Sequence, residues 1–329
     1  MGHRFLASIA ALATAVVILS LAPATVVGQG RSAEADSTPP RTAGGRPDLR
    51  GIWSNIAAIP FERSRALGRR ETLTAEEVAE LEDRIAERRI DRPPAKGSAG
   101  SYNQFWNPPG RPAAQSSLII DPPDGRLPPR TPEGQRRADF RAIRRIERLD
   151  TGGYEDRDLW ERCISMGMPR LPGGYNNNLQ IFQTPDHVAI LIEMVHEVRI
   201  IPLEPHPHIA PRIRQYLGDS RGYWDGDALV VETTNFTHEA HFFDYRDFRG
   251  STGDLHLVER FTRVDADTLH YEFTVTEPTT FTRPWTARVP VTKTEEPIFE
   301  YACHEGNRAL ANILRGARVQ EEAARVSAR

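Results

Sequence analysis

Only two cysteines, Cys163 and Cys303, occur in the 329 residues, and no local run of the sequence carries a known catalytic signature. A Walker loop, a dinucleotide-binding glycine fingerprint and a GxSxG nucleophile elbow are all missing, which argues against nucleotide phosphoryl transfer, hydride transfer and α/β-hydrolase chemistry. HExxH is missing too, because His196-Glu197, His238-Glu239 and His304-Glu305 each lack the second imidazole at the required spacing. Neither sign of charge predominates. A formal net charge of −3 leaves no basic face for nucleic acid and no acidic block for a solvated tail. Beyond the first segment, no apolar run is long enough to cross a bilayer.

That first segment has Arg4, an apolar stretch from Phe5 to Leu21, and small residues at Ala22 and Ala24 or at Val26 and Gly28. The pattern predicts a signal peptide over residues 1–28, with an uncleaved anchor as the alternative. The expected product is periplasmic or secreted, and it meets the membrane only through the signal before cleavage. No cysteine lies near the cleavage region, which argues against a lipid anchor. An oxidising compartment lets thiols far apart in sequence persist as a bond, so a Cys163–Cys303 disulfide is expected. The alternative, a nucleophilic or redox thiol, would ordinarily be left over or sit in a CxxC pair.

Proline is plentiful, with 26 residues, most of them at or before Pro211. Frequent proline shortens helices, so extended connections are expected in the front half. Residues 29–46 read as a flexible lead-in and residues 47–150 as a Pro-rich region with two helices packed on the core. Thr74 and Glu77 form a capping box that opens a helix to about Arg89, and Gln135 to Arg148 is a second, very basic helix. Between them, the Pro- and Gly-rich stretch from Pro93 to Pro132 reads as a long surface loop.

Residues 151–306 carry the β core and residues 307–329 a C-terminal helix. Val188, Ile190, Ile192 and Met194 alternate with other side chains, a turn follows near Val195 and His196, and Val198 to Leu203 returns. Asp225-Gly226 separates two apolar runs, a strong hairpin signal. In the next hairpin, matching the apolar faces fixes a connection at Asp265-Ala266-Asp267 and places Phe261 opposite Tyr271 and Leu257 opposite Val275. Arg260 then stands opposite Glu272, as an ion pair, and Glu259 falls on the apolar face opposite Phe273. The expected fold is mainly β: an antiparallel meander of roughly eight strands closing into a lipocalin-like barrel, with a sandwich as the alternative, because the edges must be hidden.

A carboxylate on an apolar face suits a general acid or base, which makes Glu259 the sharpest catalytic candidate. The competing role is an ion pair with a buried arginine such as Arg199 or Arg288. His238, His241 and Asp244, with Arg246, form a second candidate cluster in a loop rich in aromatic residues. Asn176, Asn177 and Asn178 offer amide hydrogen bonds to a hydroxyl-rich ligand or turn geometry at a strand entrance. Trp224 and Trp285 are ring platforms or core anchors. Glu204, His206 and His208 sit in a proline-punctuated segment, but no metal-site spacing is present, and neither a metal nor an organic cofactor is expected.

Three segments carry a resemblance: Pro47-Asp48-Leu49-Arg50-Gly51-Ile52-Trp53, Gly218-Asp219-Ser220-Arg221-Gly222-Tyr223-Trp224-Asp225-Gly226-Asp227-Ala228-Leu229-Val230-Val231, and Thr282-Arg283-Pro284-Trp285-Thr286. Through them the chain resembles a large group of exported, mostly uncharacterised bacterial proteins over nearly its whole exported length. The resemblance implies export and carries no activity, cofactor or catalytic residue. Two functions therefore stand side by side. One is a cofactor-independent lyase, isomerase or hydrolase working by carboxylate and histidine acid–base chemistry on a small or oligomeric organic substrate, with Arg199 or Arg246 holding negative charge. The other is a carrier barrel that binds an apolar or aromatic ligand without chemistry.

Overall fold

Strict alternation of side chains decides which face of each strand is buried. A computed structural model describes residues 38–88, 96, 110–146, 153–154, 157–173, 175–237 and 253–327. In it, β8 (His256–Arg263) and β9 (Thr268–Thr276) bury every second residue. The remaining strands are β1 (Gly51–Ser54), β2 (Ile119–Asp121), β3 (Asn178–Gln183), β4 (His187–Ile192), β5 (Glu197–Pro202), β6 (Asp219–Asp225), β7 (Ala228–Thr234) and β10 (Trp285–Thr294). They form one antiparallel sheet in the order β5-β4-β3-β1-β10-β9-β8-β7-β6, with β2 paired to β10 beside β1.

The β8–β9 register follows from matching apolar faces. Phe261 pairs with Tyr271, Leu257 with Val275 and Glu259 with Phe273. Arg260 does stand opposite Glu272, but the expected ion pair is not made. Arg260 turns instead to Asp225 at 3.0 Å, and Glu272 holds Arg288 at 2.6 Å. Between β6 and β7 the connection is Gly226-Asp227, and Gly226 takes a left-handed φ of 59°, a conformation that suits a residue without a Cβ.

The sheet rolls up until its ends meet, yet the lipocalin-like barrel is not closed. β5 and β6 end the path and share no backbone ladder. Side chains fill the seam: a Cβ on Gly222 would stand 2.8 Å from Leu203 Cδ2 and 2.9 Å from Ile201 Cγ2. The two main chains are thus joined by packing and by Arg199 of β5, whose Nη2 donates to Ser220 of β6 at 3.0 Å and Thr233 of β7 at 3.2 Å.

The extra strands beyond the expected meander come from the front region. The stretch expected as a surface loop is buried at Ser116, Ser117, Leu118 and Ile119, and it supplies β2. A three-residue strand is too short for its alternation to register in sequence. The front helices are α1 (Ala75–Arg88) and α2 (Pro132–Ile146). Glu77 N–H donates to Thr74 Oγ1 at 3.3 Å while Thr74 N–H donates to Glu77 Oε2 at 2.8 Å, the reciprocal capping box. The described part of the lead-in docks on the β6–β7 turn through Arg41 and Asp227.

The C-terminal helix, α3 (Arg308–Ser327), buries only Ala317. The Cys163–Cys303 disulfide ties the segment before it to the body across a sequence separation of 140. The core centres on Trp285, fully buried, with Phe61, Phe273 and Phe281 against it edge-on at 5.9, 5.8 and 6.0 Å. Among the described residues, no helix is long and apolar enough to cross a membrane.

Candidate functional site

The alternation of β8 carries Glu259 inward, between Leu257 and Phe261, and leaves it 0% exposed. Arg199 reaches it from β5, with Nη1 donating to Oε1 at 3.1 Å and Nη2 to Oε2 at 2.7 Å. Tyr271 Oη donates to Oε1 at 2.8 Å. Burial opposes the charge on Arg199, but Glu259 beside it outweighs that effect and holds its pKa above the usual value. Burial, reinforced by the Glu259 charge, pushes the Tyr271 phenol well above its ordinary range. Two of the residues singled out in the sequence, Glu259 and Arg199, are therefore brought together, and the carboxylate is saturated by three donors in a site sealed from solvent.

Two positions earlier on β5, Glu197 faces the same interior. Met166 N–H donates to its Oε1 at 2.6 Å, and the Ser165 hydroxyl lies close enough to favour its charge. Burial pushes its carboxyl above the usual carboxylate range, against the pull of the Ser165 hydroxyl and of Arg170. Arg170 is also part of the wall of a small cavity of about 50 Å³, with Trp160, Met166, Tyr175, Asn177 and Met194. That space suits one or two waters rather than an organic substrate. Val195, next to this wall, has φ 62°, an outlier for a β-branched residue, and His196 follows at 45°.

The larger opening, about 480 Å³, lies where β6 begins, β7 ends and β8 starts. Asn235, left-handed at φ 61°, builds it by donating from its amide to the carbonyls of Ile209, Ala210 and Ile213 at 3.2, 3.1 and 2.9 Å. These bonds pin the segment carrying His208 against the end of β7. At the first position of β6, Asp219 is 7% exposed, and its Oδ2 accepts from His208 Nδ1 at 2.8 Å and from Ile209 N–H at 3.1 Å. Arg221 holds the other oxygen at 3.0 Å. With Nδ1 donating to a fixed carboxylate, the hydrogen-bond pattern assigns the proton to Nδ1 and leaves Nε2 as an acceptor in the cleft wall. His256 pairs with Glu232 at 2.6 Å, and Arg214 donates through Nη1 to the carbonyls of Phe236 at 3.0 Å and Gly253 at 2.6 Å.

The other sequence-singled residues do not converge on one place. Asn176 forms a left-handed turn, Asn177 is buried and exchanges two 2.8 Å hydrogen bonds with Gly173, and Asn178 opens β3 with its N–H on Glu193. Trp224 lies under the Arg46 guanidinium at 5.6 Å, and Trp285 belongs to the core. His238, His241, Asp244 and Arg246 lie outside the described residues. Among the described residues, no three His, Cys, Asp or Glu side chains gather as a metal-binding group. His208 entered the sequence reading only as a possible ligand, and Asp219, Arg214 and His256 were missed. The one local cue was Gly218 before Asp219: its left-handed φ of 66° and close approach to Thr234 O place the aspartate against β7. Compared with protein-family models, with curated proteins and with solved structures, the chain matches none.

Proposed function

We propose that the protein is an exported, cofactor-independent acid–base enzyme of the hydrolase, lyase or isomerase type, working in the cleft beside His208. The observation that carries this reading is the His208–Asp219 pair: a buried carboxylate orients the ring and leaves Nε2 free of partners among the described residues. In that arrangement Nε2 takes a proton from water or substrate, Asp219 stabilises the imidazolium, and the same nitrogen returns the proton to the product. A cleft of about 480 Å³ lies within the range that holds a small organic molecule. Glu259 takes no part as acid or base in this reading; it holds the roll together with Arg199. The carrier alternative needs a deep apolar cavity, whereas the described interior is packed with aromatic rings around the Arg199–Glu259 pair. The disulfide supports work in an oxidising compartment, the periplasm or outside the cell.

The test is untargeted. Mature protein and its His208→Ala variant are incubated with a small-molecule extract, and compounds that gain a water, lose one or rearrange are followed by mass spectrometry. Conversion by the wild type that disappears in the variant is the expected result. A wild type that converts nothing, or a variant that converts equally well, refutes the proposal.

A further inference from the structure

The side-chain oxygens of Asp219 and Asn235 at the cleft are engaged, while several side-chain nitrogens of its wall are not. Both oxygens of Asp219 are taken by His208, Ile209 N–H and Arg221. The Asn235 amide nitrogen serves three carbonyls, and its Oδ1 accepts from Thr234 Oγ1 at 2.8 Å. Asp254, the other acid in the wall, is itself engaged. Among the described residues, His208 Nε2, His256 Nδ1, and the Nε and Nη2 of Arg214 have no partner. Arg214 matters most. Two backbone carbonyls grip its Nη1 and fix the plane of the guanidinium, so its free donors are oriented before any ligand arrives. A fixed guanidinium fork matches the paired oxygens of a carboxylate or phosphate, and ordering it in advance lowers the entropy lost on binding.

We infer that the cleft recognises an anionic group on its substrate, a carboxylate or a phosphate, held by Arg214 with His256 beside it, while His208 acts on the neutral, reacting end. This rests on the acid–base reading for the role of His208, but the anion site stands on geometry alone. An uncharged substrate would leave the free donors of the exposed Arg214 to water and gain nothing from them, and a cationic one would be repelled.

Inorganic phosphate and succinate are titrated separately into the full chain at low and moderate ionic strength, with heats of binding and histidine ring NMR signals as readouts. Saturable binding of at least one anion is expected, with movement of the His208 and His256 ring signals. The two titrations tell which oxyanion the fork prefers. Arg214→Gln should weaken binding roughly tenfold to a hundredfold, the range of a charged hydrogen-bonded contact. Arg214→Lys keeps the charge without the fork and should fall between, and it serves as the test if the Gln variant does not fold. No saturable binding of either anion, or equal affinity in the wild type and the Arg214 variants, overturns the inference. His208→Gln separates the two ideas. Turnover lost with anion affinity kept supports both. Turnover kept in His208→Gln while anion binding depends on Arg214 refutes the acid–base reading alone.

Discussion

Removing the Arg199 guanidinium is the sharpest test of how the interior is held. Arg199→Met leaves Glu259, fully buried, with Tyr271 as its one remaining donor among the described residues and takes away two charged contacts at 3.1 and 2.7 Å. Breaking one side of a buried pair costs about 3 to 5 kcal/mol, because the surviving charge stays uncompensated in a dry site. At roughly 2 to 4 °C per kcal/mol for a chain of this size, the melting temperature should fall by about 6 to 20 °C. The double variant Arg199→Met with Glu259→Gln keeps an acceptor for the Tyr271 hydroxyl and removes both charges. It should recover at least half of the loss, since desolvation offsets much of the attraction in the intact pair. Equilibrium urea unfolding and calorimetry of the four proteins of the cycle give the coupling directly. A loss below about 1 kcal/mol in Arg199→Met would refute the reasoning, because it would mean that water reaches Glu259 and that its carboxylate is free for chemistry.

Glu197 gives a pH signature. Its folded pKa is raised by burial, so its contribution to stability is fully present below the unfolded carboxylate value, near about pH 4, and is lost as pH rises through the folded value. Glu197→Gln should flatten that part of the stability profile, and identical slopes for the two proteins between acid and neutral pH would count against it. Replacing both cysteines by serine opens a loop with a sequence separation of 140, and the chain-entropy model puts the loss at about 5 kcal/mol. Urea midpoints under matched conditions check this, and a shift worth less than about 1 kcal/mol would contradict it. Gly222→Val should destabilise by about 1 to 3 kcal/mol through overpacking against Leu203 and Ile201, and an unchanged melting curve would show that the seam is loose.

The strands of the back half were legible because their faces alternate over long stretches. Leu269, Tyr271, Phe273 and Val275 leave one register that also buries Leu257 and Phe261, and that register carried Glu259 inward. In the sequence, Arg199 is only one of two arginines, with Arg288, that could pair with Glu259; its inward position on β5, with Val198 and Ile200 outward, is a finding of the structure. Closure was not legible either. Whether a curled sheet joins its edges depends on side chains such as Leu203 packing on Gly222, and no periodicity encodes that. The cleft was hidden for a related reason. His208 and Asp219 stand on separate segments, and they meet only because the Asn235 amide gathers three carbonyls of the intervening chain.

The unladdered seam makes the roll resemble a garment closed by buttons rather than a zip. Neighbouring strands elsewhere cannot separate without losing rows of amide hydrogen bonds, but β5 and β6 can part by releasing Arg199 from Ser220, Thr233 and Glu259 and sliding two apolar side chains off Gly222. Parting would bare main-chain edges on both strands, and β5 already carries Val198 and Ile200 outward, 53% and 67% exposed. An apolar strand with a newly open edge is the kind that recruits a strand from another molecule. The seam thus rests on one buried ion pair and one glycine, and the expected first sign of failure under stress is intermolecular pairing through β5 rather than melting of the sheet.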